Sequence, residues 1–472
     1  MLTKIVLFVQ CILISALTYA QIGFLTPDTV CLNTPVTINN TTSGATTYYW
    51  NFCVADINAA PVAVNLGDPG GQLNAPVFLD YVYTNNNYYG FVTNYNSGNL
   101  VRLDFGNSLL NTPVATNLGN YGGVLQSGTA TEGVQVVQNE GKWYVFIVGG
   151  TTIGGTIPRL VKIELGTSII NPGVATGYDN LGNMDQPVDL HVFNENGNWY
   201  GFTVNAENNT ITRFNFTNSF NNTPTGLNLG NVGSLAYPTG IYAVNDNGFW
   251  RVFITNGGDN RRDGTNSSLT RLDFGSSLLN TPTGVNLGNP GGQLHHPRDF
   301  TIMKFCGQII GFAVNGNPSY NNIVRLNFNN DLTTAPTITT VGNIGNLDFP
   351  HSISKLFRVN DNVYAFITNV ANNTITRLQF QGCTNASVSS STLQNPAPVT
   401  YNTPGTYNIN LTIDDGLPTQ TSICRQVVVL PPPKVQLGAD TAVCSFTNFI
   451  LNAGNPGATY LWQDGSTNQT LQ

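Results

Sequence analysis

The stretch "VRLDFGNSLLNTP" at residues 101–113 returns as "TRLDFGSSLLNTP" at residues 270–282, with only two positions changed. Looser copies begin at Val161, Thr212, Val324 and Thr376. An internal repeat of this kind has to be interpreted before any single motif, because its period reports the architecture. The basic residue of the motif recurs six times at intervals of 51 to 60 residues, at Arg102, Lys162, Arg213, Arg271, Arg325 and Arg377.

Other elements of the sequence repeat in step with this motif. An apolar run such as "YGFVTN" from Tyr89 or "YGFTVN" from Tyr200 occurs once per repeat. Short alternating runs of β-prone residues, separated by Asn and Gly turns, give about four strands per repeat and no helical periodicity. The pattern therefore predicts an all-β fold, a six-bladed β-propeller.

The phase of the repeat predicts how the ring closes. The repeat region opens with a lone fourth strand, "PVAVNLG" from Pro61, and ends with a third strand, "TITRLQF" from Thr374. We therefore expect the N-terminal strand to complete the sixth blade, which removes two open strand edges.

Composition and the N-terminus restrict where the protein works. Only 9% of the 472 residues are charged and the net charge is -7, so the chain has no basic face for nucleic acid. Residues 1–20 have the form of a secretory signal peptide, with Lys4 before an apolar run from Ile5 to Leu17. No later run is long and apolar enough to span a bilayer. The sequence predicts a secreted or cell-surface protein.

The segments on either side of the repeats resemble the two halves of one domain. "DTVCLNTPVTINNTTSGATTYYWNF" from Asp28 and "PAPVTYNTPGTYNINLTIDDG" from Pro396 resemble a PKD domain, an immunoglobulin-like β-sandwich. The resemblance implies that the propeller is inserted in a loop of that sandwich. The expected boundaries are 21–55 and 384–431 for the sandwich halves, 56–383 for the propeller, and 432–472 for an incomplete immunoglobulin-like or PKD-like module.

The combination of these modules resembles a class of bacterial surface proteins. A signal peptide followed by PKD-like and immunoglobulin-like modules is similar to the gliding-motility-associated, type IX secreted proteins of gliding Gram-negative bacteria. This resemblance implies display or adhesion outside the cell. Because the last module stops before its strands are complete, we expect the chain to be a fragment, with surface attachment through a missing C-terminal region.

The insertion suggests a set of disulfides. Cys53 and Cys383 lie at the two stems of the inserted propeller, and a bridge between them would clamp its neck. Cys31 and Cys424 would then staple the sandwich. The alternative is that some of these thiols are unpaired and buried, although pairing is favoured in an exported protein.

Candidate ligand-binding residues lie in loops on one predicted face of the propeller. Several of them are aromatic, acidic or imidazole side chains, which suits a mixed polar and aromatic binding rim. His and Asp from several blades can converge on the axis, but no metal-ligand spacing supports a metal site there. The candidates are Tyr121, Asp185, Tyr237, His295, His296, Arg298, Asp348 and His351.

A calcium site is a weaker candidate. In the loop "NGGDNRRDGTNSS" from Asn256, Asp259 and Asp263 suit calcium, but Arg261 and Arg262 stand where further oxygen ligands are needed. A solvated loop is therefore favoured there, and no other cofactor is expected.

The repeated basic residues admit two interpretations. They form either a cationic ring for a polyanion or a structural element, in which each head bonds a carboxylate or carbonyl between blades. The structural interpretation is favoured because third strands lie away from the propeller axis.

The function that the sequence favours is non-catalytic. The chain is expected to be an extracellular binding or adhesion protein, not an enzyme, that uses the propeller as a recognition platform for glycan or protein ligands. The alternative is a lactonase-like or lyase-like propeller enzyme, with a metal or His/Asp site at the axial face.

Overall fold

A computed structural model describes residues 22–128, 131–246, 248–258, 264–305, 308–359, 361–414, 421–444, 448–455 and 458–472. The predicted signal peptide at residues 1–20 lies outside these ranges. The chain forms two compact units, one of residues 55–382 and one that joins the residues before and after them. None of the helices in the described ranges is long and apolar enough to cross a membrane.

The described part of the chain is nearly all β. Its only helical pieces in the described ranges are three single 3₁₀ turns, Pro69–Gly71, Tyr121–Gly123 and Pro290–Gly292.

The larger unit is a succession of small sheets, or blades, that follow one another in chain order. Within each blade, consecutive antiparallel strands pair in sequence order. The strands of blades 1 to 3 are Pro76–Thr84, Asn87–Asn94, Asn99–Gly106 and Val114–Gly119; Val134–Asn139, Lys142–Gly149, Arg159–Gly166 and Val174–Asp179; and Pro187–Glu195, Asn198–Asn205, Thr210–Thr217 and Thr225–Gly230.

The remaining three blades repeat the same order, except that the last is assembled from distant segments. Its first strand is split into two pieces, and its fourth strand comes from the start of the unit. The strands of blades 4 to 6 are Pro238–Asp246, Phe249–Asn256, Ser268–Gly275 and Thr283–Asn286; Pro297–Phe305, Gln308–Asn317, Tyr320–Asn327 and Thr337–Gly342; and Pro350–Ile353 with Phe357–Val359, Asn362–Asn369, Thr374–Phe380 and Val62–Asn65.

The six blades close into a ring around a common axis. The first strand of each blade contacts the first strand of the next, and that of blade 6 contacts that of blade 1. At the seam, Val62–Asn65 pairs antiparallel with Thr374–Phe380, so that Arg377 lies opposite Val64. The arrangement is that of a β-propeller, and the predicted completion of the last blade by the N-terminal strand is confirmed.

The repeated thirteen-residue motif encodes both halves of a contact between blades. Its basic residue lies on the third strand, and its "SLLNTP" portion forms the turn that follows. In every blade the cationic head donates a hydrogen bond to a carbonyl in the next blade, which also links blade 6 back to blade 1. The pairs are Arg102–Ile170 (2.6 Å), Lys162–Phe220 (2.7 Å), Arg213–Leu278 (2.8 Å), Arg271–Leu332 (3.1 Å), Arg325–Ala59 (2.7 Å) and Arg377–Leu109 (2.9 Å).

The smaller unit is built around a five-stranded sheet. Trp50 is fully buried in its core, and its indole Nε1 donates to the Leu393 carbonyl at 2.9 Å. The described residues show an all-β unit, but they do not establish the expected immunoglobulin-like sandwich. The sheet order is Thr29–Cys31, Thr421–Leu430, Gly405–Ile413, Tyr48–Asn51 and Ser390–Ser391, with separate pairs Phe24–Leu25 with Asn39–Asn40 and Leu451–Asn452 with Thr470–Leu471.

One of the two predicted disulfides is present. Cys53 and Cys383 are bonded, with their Cα atoms 4.8 Å apart. The predicted pairing of Cys31 with Cys424 is wrong, because Cys31 is an exposed free thiol. The strand of Cys31 runs parallel to Thr421–Leu430 and places Cys31 opposite Leu430. Six residues of strand separate that position from Cys424, a distance of about 20 Å.

Candidate functional site

The first strands of the blades enclose a small polar cavity on the propeller axis. Its volume is about 60 Å³, which is room for a few waters but not for a sugar ring. The ionisable side chains of its lining are Asp80, Asp189, His191, Asp299, Tyr242 and Lys355.

The cavity carboxylates are occupied in holding neighbouring blades together. Asp189 Oδ2 accepts from the Ile241 N–H of the next blade at 2.8 Å. Asp299 Oδ2 accepts from the Ile353 N–H of the next blade at 3.0 Å. Each also accepts from the N–H of the residue that follows it. These carboxyl groups therefore have a structural task that uses both of their oxygens.

Asp189 and Asp299 also meet each other. They belong to blades 3 and 5, and the residue between them in blade 4 is Gly240, where a Cβ would lie 2.8 Å from the Asp299 Cα. Burial raises the pKa of Asp189 to about 7, and burial together with Asp189 raises that of Asp299, while a hydrogen bond joins the two side chains. The pair therefore keeps a shared proton near neutral pH.

The polar side chains of the next layer, Asp80, Lys355 and His191, likewise have partners within the protein. Asp80 Oδ1 lies 3.0 Å from Lys355 Nζ, and its Oδ2 accepts from the Val136 N–H of blade 2 at 2.9 Å. Burial lowers the pKa of His191 to about 3, so this imidazole is neutral, and its Nδ1 accepts from the Ala243 N–H at 3.2 Å. The cavity layer joins blades and leaves no group free for chemistry in the described part.

Above the cavity, the N-terminal ends of the first strands surround the axis. We call this region the mouth, and its backbone conformation is unusual. In five of the six blades the strand begins at a proline, and the residue before it has a φ near +50°. A left-handed residue before proline is rare, because the proline ring crowds the preceding residue. These residues are Ala75 (53°), Gln186 (49°), Tyr237 (48°), His296 (51°) and Phe349 (52°).

Asparagine side chains hold this strained backbone in place. Asn209 Oδ1 accepts from the Tyr237 N–H at 2.6 Å, and Asn321 Oδ1 accepts from the Phe349 N–H at 3.1 Å. In blades 1, 4, 5 and 6 the buried asparagine that ends the "VTN"-type run accepts from the N–H of the residue before the left-handed one, as Asn369 Oδ1 does from the Asp348 N–H at 3.3 Å. The mouth is thus fixed by side chains that belong to the repeat.

Blade 2 departs from this pattern, and the departure brings in Glu132. Thr131 takes the place of the opening proline, and Gly149 takes the place of the terminal asparagine. The Glu132 side chain is 3% exposed, and its Oε2 accepts no hydrogen bond from the described residues. It is the one buried carboxyl of the described chain for which no hydrogen bond is found, in contrast to the cavity carboxylates.

Glu132 meets two side chains from distant blades. Its Oε2 lies 4.0 Å from Nε2 of His351, which belongs to blade 6, with blade 1 between them. Arg298 of blade 5 acts electrostatically on both groups. All three residues occupy the same register of their blades, and contact between blades this far apart places their side chains over the axis. We call Glu132, Arg298 and His351 the mouth triad.

The triad combines an acid, a base and a cation. Burial raises the pKa of Glu132 to about 8, an effect that the Arg298 charge partly opposes. Burial, Arg298 and His296 lower the pKa of His351 well below its usual value. At neutral pH the carboxyl is therefore mostly protonated and the imidazole is neutral. A protonated carboxyl and an unprotonated imidazole therefore lie side by side, one able to donate a proton and the other able to accept one.

An aromatic rim surrounds the triad. The Arg298 guanidinium lies 4.8 Å from the centre of the Phe349 ring, and its Nε donates to the Gly316 carbonyl at 3.2 Å. The Tyr237 and His296 rings are 5.7 Å apart. Burial and the nearby Glu132 raise the pKa of Tyr95. The floor of the mouth is buried and its rim is half-buried, as expected where a ligand approaches along the axis.

Four of the eight predicted ligand-binding residues lie at this mouth, namely Tyr237, His296, Arg298 and His351. Of the other four, His295 and Asp348 directly precede His296 and Phe349 at the strand openings, and the contacts of all four are as follows. The Tyr121 hydroxyl donates to the Pro172 carbonyl at 2.7 Å, and Asp185 accepts from Thr152 at 2.9 Å. His295 stacks on Tyr320 with ring centres 3.7 Å apart. Asp348 is held through its N–H by Asn369.

Glu132 was not among the sequence candidates. The signal that marks it is the failure of blade 2 to match the opening of the other five blades, "TEG" in place of a Pro-led start. Asp259 and Asp263, the calcium candidates, lie outside the described residues. Within the described ranges, no group of three or more His, Cys, Asp or Glu side chains is placed to hold a metal ion.

Comparison with known proteins gives matches to solved structures alone. No family model and no curated protein matches the chain. The GH43_1 enzyme from Xanthomonas citri complexed with xylose covers 71% of this chain and 93% of its own, with 10% identity and a TM-score of 0.39. The catalytic domain of a GH62 α-L-arabinofuranosidase from Coprinopsis cinerea covers 53% and 91%, with 13% identity and a TM-score of 0.36. An α-L-arabinofuranosidase, CtGH43, from Clostridium thermocellum covers 58% and 97%, with 13% identity and a TM-score of 0.37.

These findings correct the expectations drawn from the flanking segments. The resemblance to PKD-domain and gliding-motility-associated proteins is wrong, because the structures that match are glycoside hydrolases. The predicted non-catalytic adhesion function is corrected by the same matches, which are to structures described as glycoside hydrolases. At TM-scores below 0.4 the likeness transfers no substrate, activity or catalytic residue to this chain, so those must come from the site itself.

Proposed function

We propose that the chain is a secreted enzyme that cleaves glycosidic bonds in a glycan at the propeller mouth, with Glu132 as the group that protonates the leaving oxygen. The single observation that carries this proposal is the state of Glu132. It is a buried carboxyl on the axis, without a hydrogen-bond partner in the described part, and its pKa is raised to about 8. A carboxyl kept protonated at neutral pH is the form that a general acid needs.

The contrast with the cavity carboxyls supports this assignment. Burying a carboxyl without hydrogen bonds is unfavourable, and the chain avoids it at Asp80, Asp189 and Asp299. An uncompensated polar group in a cleft is a candidate for function, because folding alone gives no reason to keep it. Glu132 is such a group, and it lies where three blades converge.

The surroundings of the mouth suit a sugar polymer. Half-buried aromatic side chains, Tyr95, Tyr237 and Phe349, surround the triad, and apolar faces beside a few polar groups are typical of ligand sites. Export is supported by the predicted signal peptide, and the Cys53–Cys383 bond fits an oxidising compartment.

The test is direct cleavage of polymers. The full chain is incubated with a panel of neutral and acidic glycans, and the length of the products is measured by size separation and mass spectrometry. We expect at least one polymer to be shortened, and the shortening to be lost in Glu132→Gln. Intact polymers across the whole panel would show that the mouth is not a glycan-cleaving site.

A further inference from the structure

Glu132 is the one buried carboxyl among the described residues for which no hydrogen bond is found, and its neighbours limit the reactions that the mouth can perform. Glycoside hydrolysis ordinarily uses two carboxyl groups, one to protonate the leaving oxygen and one to act as base or nucleophile. The cavity carboxyls, Asp189 and Asp299, use both oxygens on main-chain N–H groups. In the described part, the second group beside Glu132 is an imidazole, His351, and the third is a guanidinium, Arg298.

We propose that the mouth triad cleaves uronate-containing glycans by β-elimination, with Arg298 binding the uronate carboxylate, His351 removing the neighbouring proton and Glu132 protonating the leaving oxygen. This inference rests on the proposed function and specifies its substrate class and reaction. Elimination needs an acid, a base and a cation to neutralise the carboxylate, and the triad supplies one of each.

The step balances without a further reactant. His351 takes the proton from C5, the carbon next to the carboxylate, and the electron pair of that C–H bond forms a C4–C5 double bond. The C4–O bond breaks, and the leaving oxygen receives the Glu132 proton. The products are an unsaturated uronate end and a new free hydroxyl. No water is consumed and nothing is oxidised or reduced.

The geometry also provides a way to reset the site. After the reaction His351 holds a proton and Glu132 has lost one, while Nε2 and Oε2 are 4.0 Å apart. Return of the proton from the imidazolium to the carboxylate, directly or through one water, restores both starting forms. Because burial disfavours the charged form of each group, this transfer is downhill.

Arg298 is built to hold a carboxylate. Guanidinium groups bind carboxylates through two parallel hydrogen bonds, which fixes the orientation of the substrate as well as its charge. The Arg298 side chain is half-buried, and the Phe349 ring and the Gly316 carbonyl fix it on the opposite side of the axis from Glu132. Among the described residues, His296 acts electrostatically on His351, and Tyr95 interacts with Glu132, Arg298 and Tyr237.

The deciding experiment separates elimination from hydrolysis. The full chain is incubated in heavy-oxygen water with polygalacturonate, alginate and a 4-linked glucuronan, and with neutral arabinan and xylan. We expect cleavage of a uronate polymer alone, with ultraviolet-absorbing unsaturated ends and no heavy oxygen in the products. New reducing ends that carry heavy oxygen, or cleavage of neutral polymers alone, would overturn elimination while leaving the proposed function standing. No cleavage of any polymer would overturn both.

Three variants test the roles on the polymer that is cleaved. We expect His351→Gln to lower kcat by roughly 10² to 10⁴-fold, the usual contribution of a general base. Arg298→Gln is expected to raise KM and lower kcat together, with partial rescue in Arg298→Lys. The matched control is Arg425→Gln, which removes an exposed arginine from the smaller unit. Unchanged kinetics in a folded Arg298→Gln protein would remove Arg298 from the mechanism.

Discussion

Blade 2 and the five other blades share one repeat, but they differ where their first strands reach the axis. The other five begin with a proline, preceded by a left-handed residue. Blade 2 begins with Thr131, Glu132 and Gly133, and it has Gly149 in place of the anchoring asparagine. Blade 2 therefore lacks the opening proline and the anchoring asparagine of the repeat, and it has instead a buried carboxyl for which no hydrogen bond is found among the described residues.

In a protein with an internal repeat, each copy serves as a reference for the others, so a residue that deviates from the other copies stands out. Positions that satisfy the repeat have an explanation in folding, because five copies keep them for the same contacts. A position that breaks the repeat and also carries an energetic penalty needs another explanation. Glu132 meets both conditions, whereas the buried carboxyls Asp189 and Asp299 are compensated by main-chain N–H groups.

The largest expected effect comes from the residue that breaks the repeat. Glu132→Gln keeps the shape of the side chain but cannot supply a proton, so glycan cleavage is expected to fall by roughly 10² to 10⁴-fold. The melting temperature at neutral pH should change little, because a buried amide without partners replaces a mostly protonated buried carboxyl of the same shape.

The matched control for that change is Glu195→Gln in blade 3. Glu195 is also buried, but it accepts from the Ser277 hydroxyl at 2.8 Å and the Leu278 N–H at 3.1 Å. We expect this variant to lower stability and leave the rate of the folded protein unchanged. Equal losses of activity in both variants would mean that Glu132 has no special role.

Gly133 gives the next largest effect. A Cβ there would lie 2.8 Å from the Asp189 Cα and from the Val188 carbonyl oxygen, and backbone atoms yield poorly. Gly133→Ala is expected to cost roughly 2 to 3 kcal/mol in the free energy of unfolding, measured by denaturant titration. Gly177→Ala in the same blade is the control, because its nearest neighbour is a side-chain atom at 3.6 Å. A neutral Gly133→Ala would show that blade 2 does not depend on this close approach.

The buried Glu132 carboxyl is also expected to make stability depend on pH. Burial raises the pKa of Glu132 to about 8, and its value in the unfolded chain is near 4. Between pH 6.5 and 8 the folded state retains this proton and the unfolded state does not, so stability falls as the pH rises. The Asp189–Asp299 pair also holds a proton that the unfolded chain lacks, and it adds to this fall, whereas the histidines with lowered pKa values oppose it slightly because they are near pKa 6.5 in the unfolded chain.

Between pH 6.5 and 8, the free energy of unfolding is expected to fall by an amount on the order of 2 kcal/mol. Thermal melts at several pH values measure this change. Glu132→Gln should make the profile flatter in the same range. Stability that increases from pH 6.5 to 8 would contradict the assigned protonation of Glu132.

The smallest expected effect concerns the basic ring, where blade 2 again differs by having a lysine. Arg271 donates to the Leu332 and Thr333 carbonyls and pairs with Asp273, whereas Lys162 makes one bond to Phe220. Arg271→Ala is expected to cost on the order of 1 to 3 kcal/mol and Lys162→Ala about 1 kcal/mol less. Arg425→Ala should stay within about 0.5 kcal/mol of the parent. Equal melting of all three variants would refute a packing role for the ring.

The sequence predicts the repeat, the number of blades and the strand pair that closes the ring. It can do so because hydrophobic periodicity and turn residues are local features of each copy. It also places Tyr237, His296, Arg298 and His351 on the ligand side of the propeller, since the loop positions follow from the strand order. It does not predict that Glu132 and His351 meet, because that contact spans blade 1 and depends on the ring geometry. The wrong pairing of Cys31 with Cys424 has a similar origin. The register that places Cys31 opposite Leu430 arises from a parallel pairing of distant strands, which the local sequence does not encode.

The seam between Val62–Asn65 and Thr374–Phe380 also determines the order in which the molecule can mature. Arg377 and Val64 are partners in a strand pair, yet almost the whole propeller lies between them in the chain. During synthesis or export from the N-terminus, local hairpins form early, but the ring stays open until the last blade has emerged. The edge of blade 6 is exposed for that time and is vulnerable to pairing with another chain. Closure of the seam, followed by oxidation of Cys53 with Cys383, is therefore the step at which a chaperone or an oxidase would have the greatest influence on yield.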